Sequence, residues 1–405
     1  MDMEFRNCKL ELDLKCHAPI IHFQPEEEGA TLRASEVKPK FDRYLMKKVP
    51  NLKKRFKNQY LPYKMKFIDN SPNVIYKYGK NEGKYDKQTN NKEGNFQLYF
   101  ARDGKRRVET NPTMIITCFD IELQNLIIDH IKNFFIVTNF GAVQGKGYGS
   151  FTIDSEKNDQ VEQENIEKIL MEEFGLKTLY KIDCNKLVEK LAKFEAIKKI
   201  FRIIENFYKI IKGGINHKEY IKGFLFIHMN GKGIKNEKAA LKTEIIDHPY
   251  ASNQNKVKQE PKINSHKECY VRALLGLSSS FAFKDQRRQK GGAVDVNIKI
   301  SHADETIERF PSPLTFKVIN KIIYIIPKQI DEQIWNQKFI FTYELGKDVK
   351  NSNGIDPKVK PEELELYTPD SNEFCLEDFL EEAVSYYNKE VNKIKGPQIV
   401  KYHTK

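Results

Sequence analysis

The sequence of 405 residues has a single tryptophan and no run of about 20 consecutive apolar residues, the length a membrane helix needs. No membrane-spanning helix is therefore expected. Its six cysteines are Cys8, Cys16, Cys118, Cys184, Cys269 and Cys375, and they form no CxxC and no close Cys/His pair. That spacing argues against a structural zinc site. Cys8, Cys16 and Cys118 sit in apolar strand patterns, where a thiol is a small hydrophobe, and all six are expected to be reduced. The opening MDMEFRNCKLELDL lacks the apolar core of a secretory signal, which predicts a cytoplasmic protein. Carboxylates do not cluster in a metal-binding pattern, and no Ser/His/Asp order carries a chemical argument. No metal or cofactor is expected.

What the chain has is charge, unevenly placed. Lys and Arg number 68 and Asp and Glu 56, a net +12. Residues 31–110 hold 21 Lys/Arg against 8 Asp/Glu, a net +13 that exceeds the total for the whole chain. Residues 355–390 hold 3 Lys against 11 Asp/Glu, a net −8. A basic front and an acidic rear form a field pattern that points to a polyanion, most simply nucleic acid. The bland alternative is a lysine-rich protein with solvated faces. Tyr60, Tyr63, Tyr76, Tyr78, Phe96, Tyr99 and Phe100 lie among the basic residues. Aromatic faces stack bases while lysines hold phosphates, although core packing explains most such rings.

The apolar periodicity predicts a mixed α and β chain. Cys8, Leu10, Leu12, Leu14 and Cys16 alternate with charged residues, which predicts a strand. Ser35 is the expected N-cap of a helix carrying Val37, Phe41, Tyr44 and Leu45, with Pro39 near its start. Strands are expected at 63–69, 96–100, 113–119 and 134–140, and a helix capped by Asp120 at 121–132. Residues 79–95 and 247–264 read as loops. The order β-α-β-β-α-β predicts an α+β, ferredoxin-like (RRM-like) first domain. Farther on, helices are expected near 165–173, 184–212, 235–246, 269–277 and 373–392. Strands are expected near 176–182, 223–229, 293–300, 314–318 and 321–326. The domains expected are 1–155, a second mixed α+β domain at 156–345, and an acidic extension at 346–405.

The densest motif is the glycine run around Gln144 and Lys146, with Gly141, Gly145, Gly147 and Gly149. A Walker A loop needs Ser or Thr after the lysine and then a helix; here Gly147 follows and a strand is expected. A dinucleotide loop needs GxGxxG opening a helix, which is also missing. The remaining readings are a tight turn with no ligand, or a turn whose N–H groups cradle a phosphate. In the second reading Lys146 adds charge and Tyr148 a stacking face.

The string NFGAVQGKGYGSF (139–151) resembles the signature glycine loop of the RAMP superfamily, the RNA-binding proteins of CRISPR systems. LELDLKCHAPI followed by ATLRASEVKPKFDRYL is similar to the opening of RAMP subunits. IERFPSPLTFKV (307–318) resembles a block of the Cmr branch, the type III-B effector. The order of blocks looks most like the subunit that caps the filament near the 3′ end of the CRISPR RNA. The resemblance implies ferredoxin-like folds, with a diverged second domain of RAMP type. It also implies CRISPR RNA and target RNA as ligands and other RAMP subunits as partners. Phosphate contact would fall to Arg33, Ser35 and Lys38, loop contact to Gly145, Lys146 and Gly147, and weaker contact to Arg309 and Lys317.

Catalysis is the runner-up. Some RAMP relatives cut RNA with a histidine, and His17 or His22 would serve as general acid or base. Type III backbone subunits use a loop aspartate, for which Asp69 or Asp86 would stand. Pro19, Ile20 and Ile21 between the histidines suggest a packed loop, no spacing singles out either aspartate, and binding without catalysis is the reading preferred. A third reading is a scaffold whose basic face meets an acidic protein, with the 355–390 segment docking a basic neighbour.

Overall fold

The computed structural model describes residues 4–21, 31–57, 60–69, 74–76, 107–154, 159–216, 220–241, 267–277, 280–285, 294–304, 307, 310–345 and 363–403. In chain order it runs β1 (Lys9–Ala18), β2 (Ile20–Ile21), α1 (Ala34–Lys48), α2 (Asn51–Arg55), β3 (Tyr63–Ile68), β4 (Val74–Tyr76), β5 (Arg107–Glu109), β6 (Thr113–Cys118), α3 (Ile121–Val137) and β7 (Ser150–Ile153). Next come α4 (Asp159–Phe174), β8 (Leu179–Asp183), α5 (Asn185–Val188), α6 (Lys193–Lys212), β9 (Gly214–Asn216), β10 (Tyr220–Lys222), α7 (Phe224–Gly231), β11 (Ile234–Asn236) and β12 (Lys267–Cys269). The rest is β13 (Ser280–Asp285), β14 (Val294–His302), β15 (Leu314–Ile319), β16 (Ile322–Pro327), β17 (Lys338–Leu345), β18 (Glu363–Tyr367), α8 (Leu376–Glu390) and β19 (Val400–Tyr402). The architecture is mixed α/β with several small sheets. Two compact units emerge: Met1–Asn206 with Leu314–Ile326 and Lys395–Lys405, and Phe207–Pro313 with Pro327–Ile394.

The first unit is built on the alternation in β1. Leu10, Leu12 and Leu14 are buried, and Glu11, Asp13 and Lys15 between them are exposed. β1 pairs antiparallel with β6 (Leu12 opposite Met114) and with β7 (Leu14 opposite Ile153), and β6 pairs antiparallel with β3 (Tyr63 opposite Cys118). The sheet order is β3-β6-β1-β7. Its inner face, with Leu10, Leu12, Met114 and Ile116, shares one core with Phe41 and Leu45 of α1 and Ile127, Ile131 and Phe134 of α3. Each such side chain contributes roughly 1.5–3 kcal/mol on burial. The outer face carries Lys9, Glu11, Asp13 and Lys15 on β1 and Lys64 and Lys66 on β3, all exposed, with Thr113, Ile115 and Thr117 between them on β6. No aromatic ring stands on that face among the described positions of the four strands. A second sheet of this unit has the order β15-β16-β8-β19. On it Leu179, Ile322, Tyr324 and Ile326 pack with Ile166, Leu170 and Met171 of α4.

The second unit centres on a six-stranded sheet, β11-β12-β18-β17-β14-β13, and includes the β9-β10 pair. α8 buries Phe379, Leu380, Ala383, Val384 and Tyr387 and exposes Glu377, Asp378 and Glu381. The helix expected within 373–392 is there.

Four local expectations are corrected. Residues 134–140 do not form a strand: Phe134, Phe135 and Ile136 continue α3 and are buried on it. Residues 223–229 form helix α7 instead of a strand. Both are short apolar runs, which periodicity alone cannot assign. Residues 269–277 form the end of β12 and a 3₁₀ turn at Val271–Leu275 instead of an α-helix. Ser35 is not an N-cap; α1 begins at Ala34 with Arg33 as the capping residue, whose carbonyl accepts from Glu36 N and Val37 N at 3.0 Å each. Pro39 therefore lies inside α1, and its missing N–H is the one that would bond the Ser35 carbonyl. The strand expected at 96–100 and the loops at 79–95 and 247–264 lie outside the described residues.

Candidate nucleic-acid interface

The glycine loop joins the end of α3 to β7, so a helix and not a strand precedes it. Its base is tightly held. Phe140 N donates to Gly149 O (2.9 Å), Ala142 N to Ile21 O (2.7 Å) and Gly149 N to Pro19 O (2.9 Å). These bonds close the loop against the chain that leaves β1. Gly149 adopts φ +65°, and a Cβ there would stand 1.9 Å from Phe140 O. Gly141 adopts φ +78°, and its Cβ would stand 2.5 Å from Ile21 O. Only glycine suits either position.

β15 and Asn139 hold the loop from its other side, the carbonyls of Gln144 and Gly145 included. Asn139 Nδ2 donates to Gln144 O and to Phe316 O, both at 2.8 Å. Phe316 N donates to Gly145 O (3.1 Å), and Ser150 Oγ donates to Val318 O (2.6 Å). Lys317 is 1% exposed. Its Nζ donates to Phe135 O (2.8 Å) and Thr138 O (2.7 Å), carbonyls at the C-terminus of α3, and to Phe151 O (3.4 Å). A cation there complements the helix dipole and occupies carbonyls that the helix leaves unmatched. Burial pulls its amine well below the ordinary lysine range.

The crown of the loop, Gln144-Gly145-Lys146, is built differently. Gln144 is exposed and Gly145 half-buried, whereas the Lys146 Nζ is buried and lies 5.7 Å from the Phe316 ring centre. A Cβ at Gly145 would meet nothing within 4 Å. Beside the crown runs α1. Glu36 Oε1 accepts from Gly141 N (2.7 Å) and from Lys40 Nζ (2.8 Å). Lys40 Nζ also donates to Gln144 Oε1 (2.9 Å) and to Asn139 O (3.2 Å). The face of α1 that meets the loop is thus the face of residues 36 and 40. At 3.6 residues per turn the same stripe carries Arg33, Arg43 and Lys47. All three are exposed. The stripe has one acid, Glu36, and that carboxylate is committed to Gly141 and Lys40. The arrangement is a strip of cations running alongside an open glycine turn, suited to a phosphate chain.

The residues singled out in the sequence separate into three groups. Gln144 and Gly145 are presented at the crown, and Arg33 stands exposed at the start of the α1 stripe. Ser35 is exposed off the stripe. Lys38, Lys146, Gly147, Tyr148 and Lys317 face inward, Lys146 with its Nζ buried. Lys38 pairs with buried Asp42 (2.7 Å), donates to Leu61 O (3.0 Å) and lies 4.2 Å from the Tyr63 ring centre. Tyr148 is fully buried and stacks on Phe201 at 4.0 Å. Gly147, at φ +91°, is buried against Val318 and Ile204. Arg309 lies outside the described residues. The sequence reading missed Lys40, Arg43 and Lys47; the signal was their succession after Glu36 in steps of four, three and four residues.

The histidine and aspartate alternatives have their own surroundings. His17 Nδ1 accepts from Asn320 N (3.2 Å), so its Nε2 carries the proton and donates to Thr152 Oγ1 (2.8 Å). Burial, with Lys317 and Lys15 nearby, lowers its pKa to about 3. A ring so placed is neutral at physiological pH and both its nitrogens are occupied. Asp69 accepts from Thr110 Oγ1. His22 and Asp86 lie outside the described residues. Among the described residues no group of His, Cys, Asp and Glu could hold a metal ion, and no helix is long and apolar enough to cross a membrane.

The family model for the Cmr1 N-terminal domain matches residues 7–215, and that for the Cmr1 C-terminal domain matches residues 220–404. No curated protein matches the chain. The two family matches together span nearly the whole sequence. The chain belongs to the Cmr1 family, the RAMP-type subunits of the type III-B CRISPR effector, the Cmr complex.

Proposed function

We propose that this Cmr1-family chain is an RNA-binding, non-catalytic subunit that caps the effector filament near the 3′ end of the CRISPR RNA. It works in the cytoplasm beside other RAMP subunits and helps hold guide and target RNA during antiviral defence. The observation that carries the RNA reading is the exposed Arg33, Arg43 and Lys47 stripe of α1, which Lys40 ties to the turn at Gln144-Gly145. Lysine and arginine side chains on the stripe take the phosphates, and the open turn lets the backbone approach the sugar-phosphate chain at Gly145.

The ferredoxin-like reading of the first domain is supported by its order of elements. Two β-α-β halves interleave so that β1 lies between β6 and β7, and every neighbouring pair is antiparallel. In such folds of RRM type, aromatic side chains on the open face of the sheet stack bases. Here that face bears lysines, carboxylates and threonines, so the RNA contact belongs at the loop and α1 and not on the sheet. The non-catalytic reading is supported by His17, whose two nitrogens both serve the fold.

The test is binding of single-stranded repeat-derived RNA to the purified chain. Arg43→Glu combined with Lys47→Glu should weaken binding at least about tenfold at fixed salt while the melting temperature holds. Unchanged affinity would remove the stripe from the contact set. Incubation with the same RNA without metal tests the second part: cleavage that is lost in His17→Ala would refute the non-catalytic reading.

A further inference from the structure

The end of the first sheet opposite the glycine loop carries an apolar patch that the RNA reading does not use. Phe119 is 81% exposed, Ile121 73% and Tyr60 68%. A single exposed apolar residue needs no explanation, but three at one place do. Topology brings them together. Tyr63 pairs with Cys118 at the last rung of the β3-β6 ladder, so Tyr60 and Phe119 leave the sheet at the same end. Arg55 of α2 then reaches Asp120 and Glu122, both at 2.6 Å, bracketing Ile121. α3 starts at this patch and ends at the loop, and its 17 residues span about 25 Å.

The rim of the patch is basic. Lys53, Lys54 and Lys57, on and just after α2, are exposed. The two acids beside Ile121 are both matched by Arg55. An apolar centre with a cationic rim complements a protein face that offers an apolar socket edged with Asp and Glu. RNA fits less well. Ile121 has no face to stack a base, and the Glu122 side chain is 72% exposed beside it.

We propose that Phe119, Ile121 and Tyr60, rimmed by Lys53, Lys54 and Lys57, form the docking surface for an acidic-edged face of another protein subunit of the effector. The proposal rests on membership of a multi-subunit complex and not on the RNA contact at the loop. The two ends of the unit then divide the labour, one holding nucleic acid and the other holding a neighbour.

The experiment is reconstitution of the effector from its other subunits and CRISPR RNA, with labelled chain titrated in. Phe119→Asp with Ile121→Asp should weaken incorporation at least about tenfold. Lys53→Glu with Lys54→Glu and Lys57→Glu should weaken it by a smaller factor and reduce its sensitivity to salt. RNA affinity and melting temperature of the isolated chain should stay unchanged in both. Arg43→Glu provides the opposite control, weakening RNA binding by the isolated chain, so failure of one reading leaves the other standing. Equal incorporation of the Asp variant would overturn the proposal. So would loss of RNA affinity in the isolated variant, which would make the patch an RNA contact. A lowered melting temperature would also overturn it, because the patch would then be covered by another part of the same chain.

Discussion

Gly149 and Gly145 are four residues apart in one loop and answer to different demands. At Gly149 the backbone turns through φ +65° and a methyl group would run into Phe140 O at 1.9 Å. At Gly145 a methyl group would meet nothing within 4 Å. The same contrast separates two basic side chains. Lys317 spends its amine on the carbonyls of Phe135, Thr138 and Phe151, and Arg43 stands exposed on the α1 stripe beside the loop. The base of the loop is a piece of core made from three distant segments, the chain just after β1, α3 and β15. What the crown presents is the Gln144 side chain and the open side of Gly145. A motif that is one string of letters therefore contains two kinds of residue, those that set the turn and those that the turn presents.

Substitutions should split along that line. The largest effect is expected from Gly149→Ala, which meets both a carbonyl and an unfavourable φ and should cost about 3–4 kcal/mol in chemical denaturation. A cost below about 1 kcal/mol would mean that the base is not the rigid element described. Lys317→Met should come next, at about 3 kcal/mol, because carbonyls at the end of α3 lose their donor. Lys317→Met should also lower RNA affinity through a loosened loop, yet leave the slope of log affinity against log salt unchanged. A shallower slope would make Lys317 a phosphate contact and erase the distinction from Arg43.

On the stripe beside the crown, Arg43→Ala should leave stability within about 0.5 kcal/mol and weaken RNA binding severalfold, with a shallower salt slope. The mildest change is Gly145→Ala, with stability unchanged within about 0.5 kcal/mol, read by the same denaturation curves. A large loss there would move the boundary between base and crown. His17 supplies a pH test of the base. Its folded pKa of about 3 lies below its ordinary value of 6.5, so the unfolded chain takes up a proton first as the pH falls. Its contribution to stability is complete above about pH 6.5 and is lost as the pH drops toward about 3. His17→Gln should flatten the stability curve across that window, and an unaltered curve would place the ring in water.

Much of the first unit was legible in the sequence. Leu10, Leu12 and Leu14 alternate because β1 is buried on one side only, and Asp120 caps α3 through Leu123 N (3.0 Å) as its position implies. The glycine run located the loop. Side-chain direction was harder to read. Lys38 and Lys40 are two residues apart on one helix and equally covered, at 21% and 20% exposed, and only the partners beyond the helix, Tyr63 for one and Gln144 for the other, send one toward β3 and the other toward the glycine loop. Lys317 looked like a surface cation because its acceptors are backbone carbonyls some 180 residues away in sequence, and carbonyls leave no mark in a sequence. The runs at 134–140 and 223–229 misled because each is apolar on all sides and short enough for either strand or helix. The α1 stripe went unnoticed because the motif resemblance drew attention to Arg33, Ser35 and Lys38, while the helical period connects Arg33 to Lys40, Arg43 and Lys47.

The central claim is that the crown and the α1 stripe grip a ribose-phosphate chain. Its most direct test is the salt dependence of single-stranded RNA binding, compared between the native chain and the Arg43→Gln, Lys47→Gln double variant. Each lost phosphate contact should reduce the slope of log affinity against log salt by about 0.7, so the double variant should be shallower by about 1.4. Identical slopes would show that the RNA backbone passes elsewhere, and the account would be contradicted.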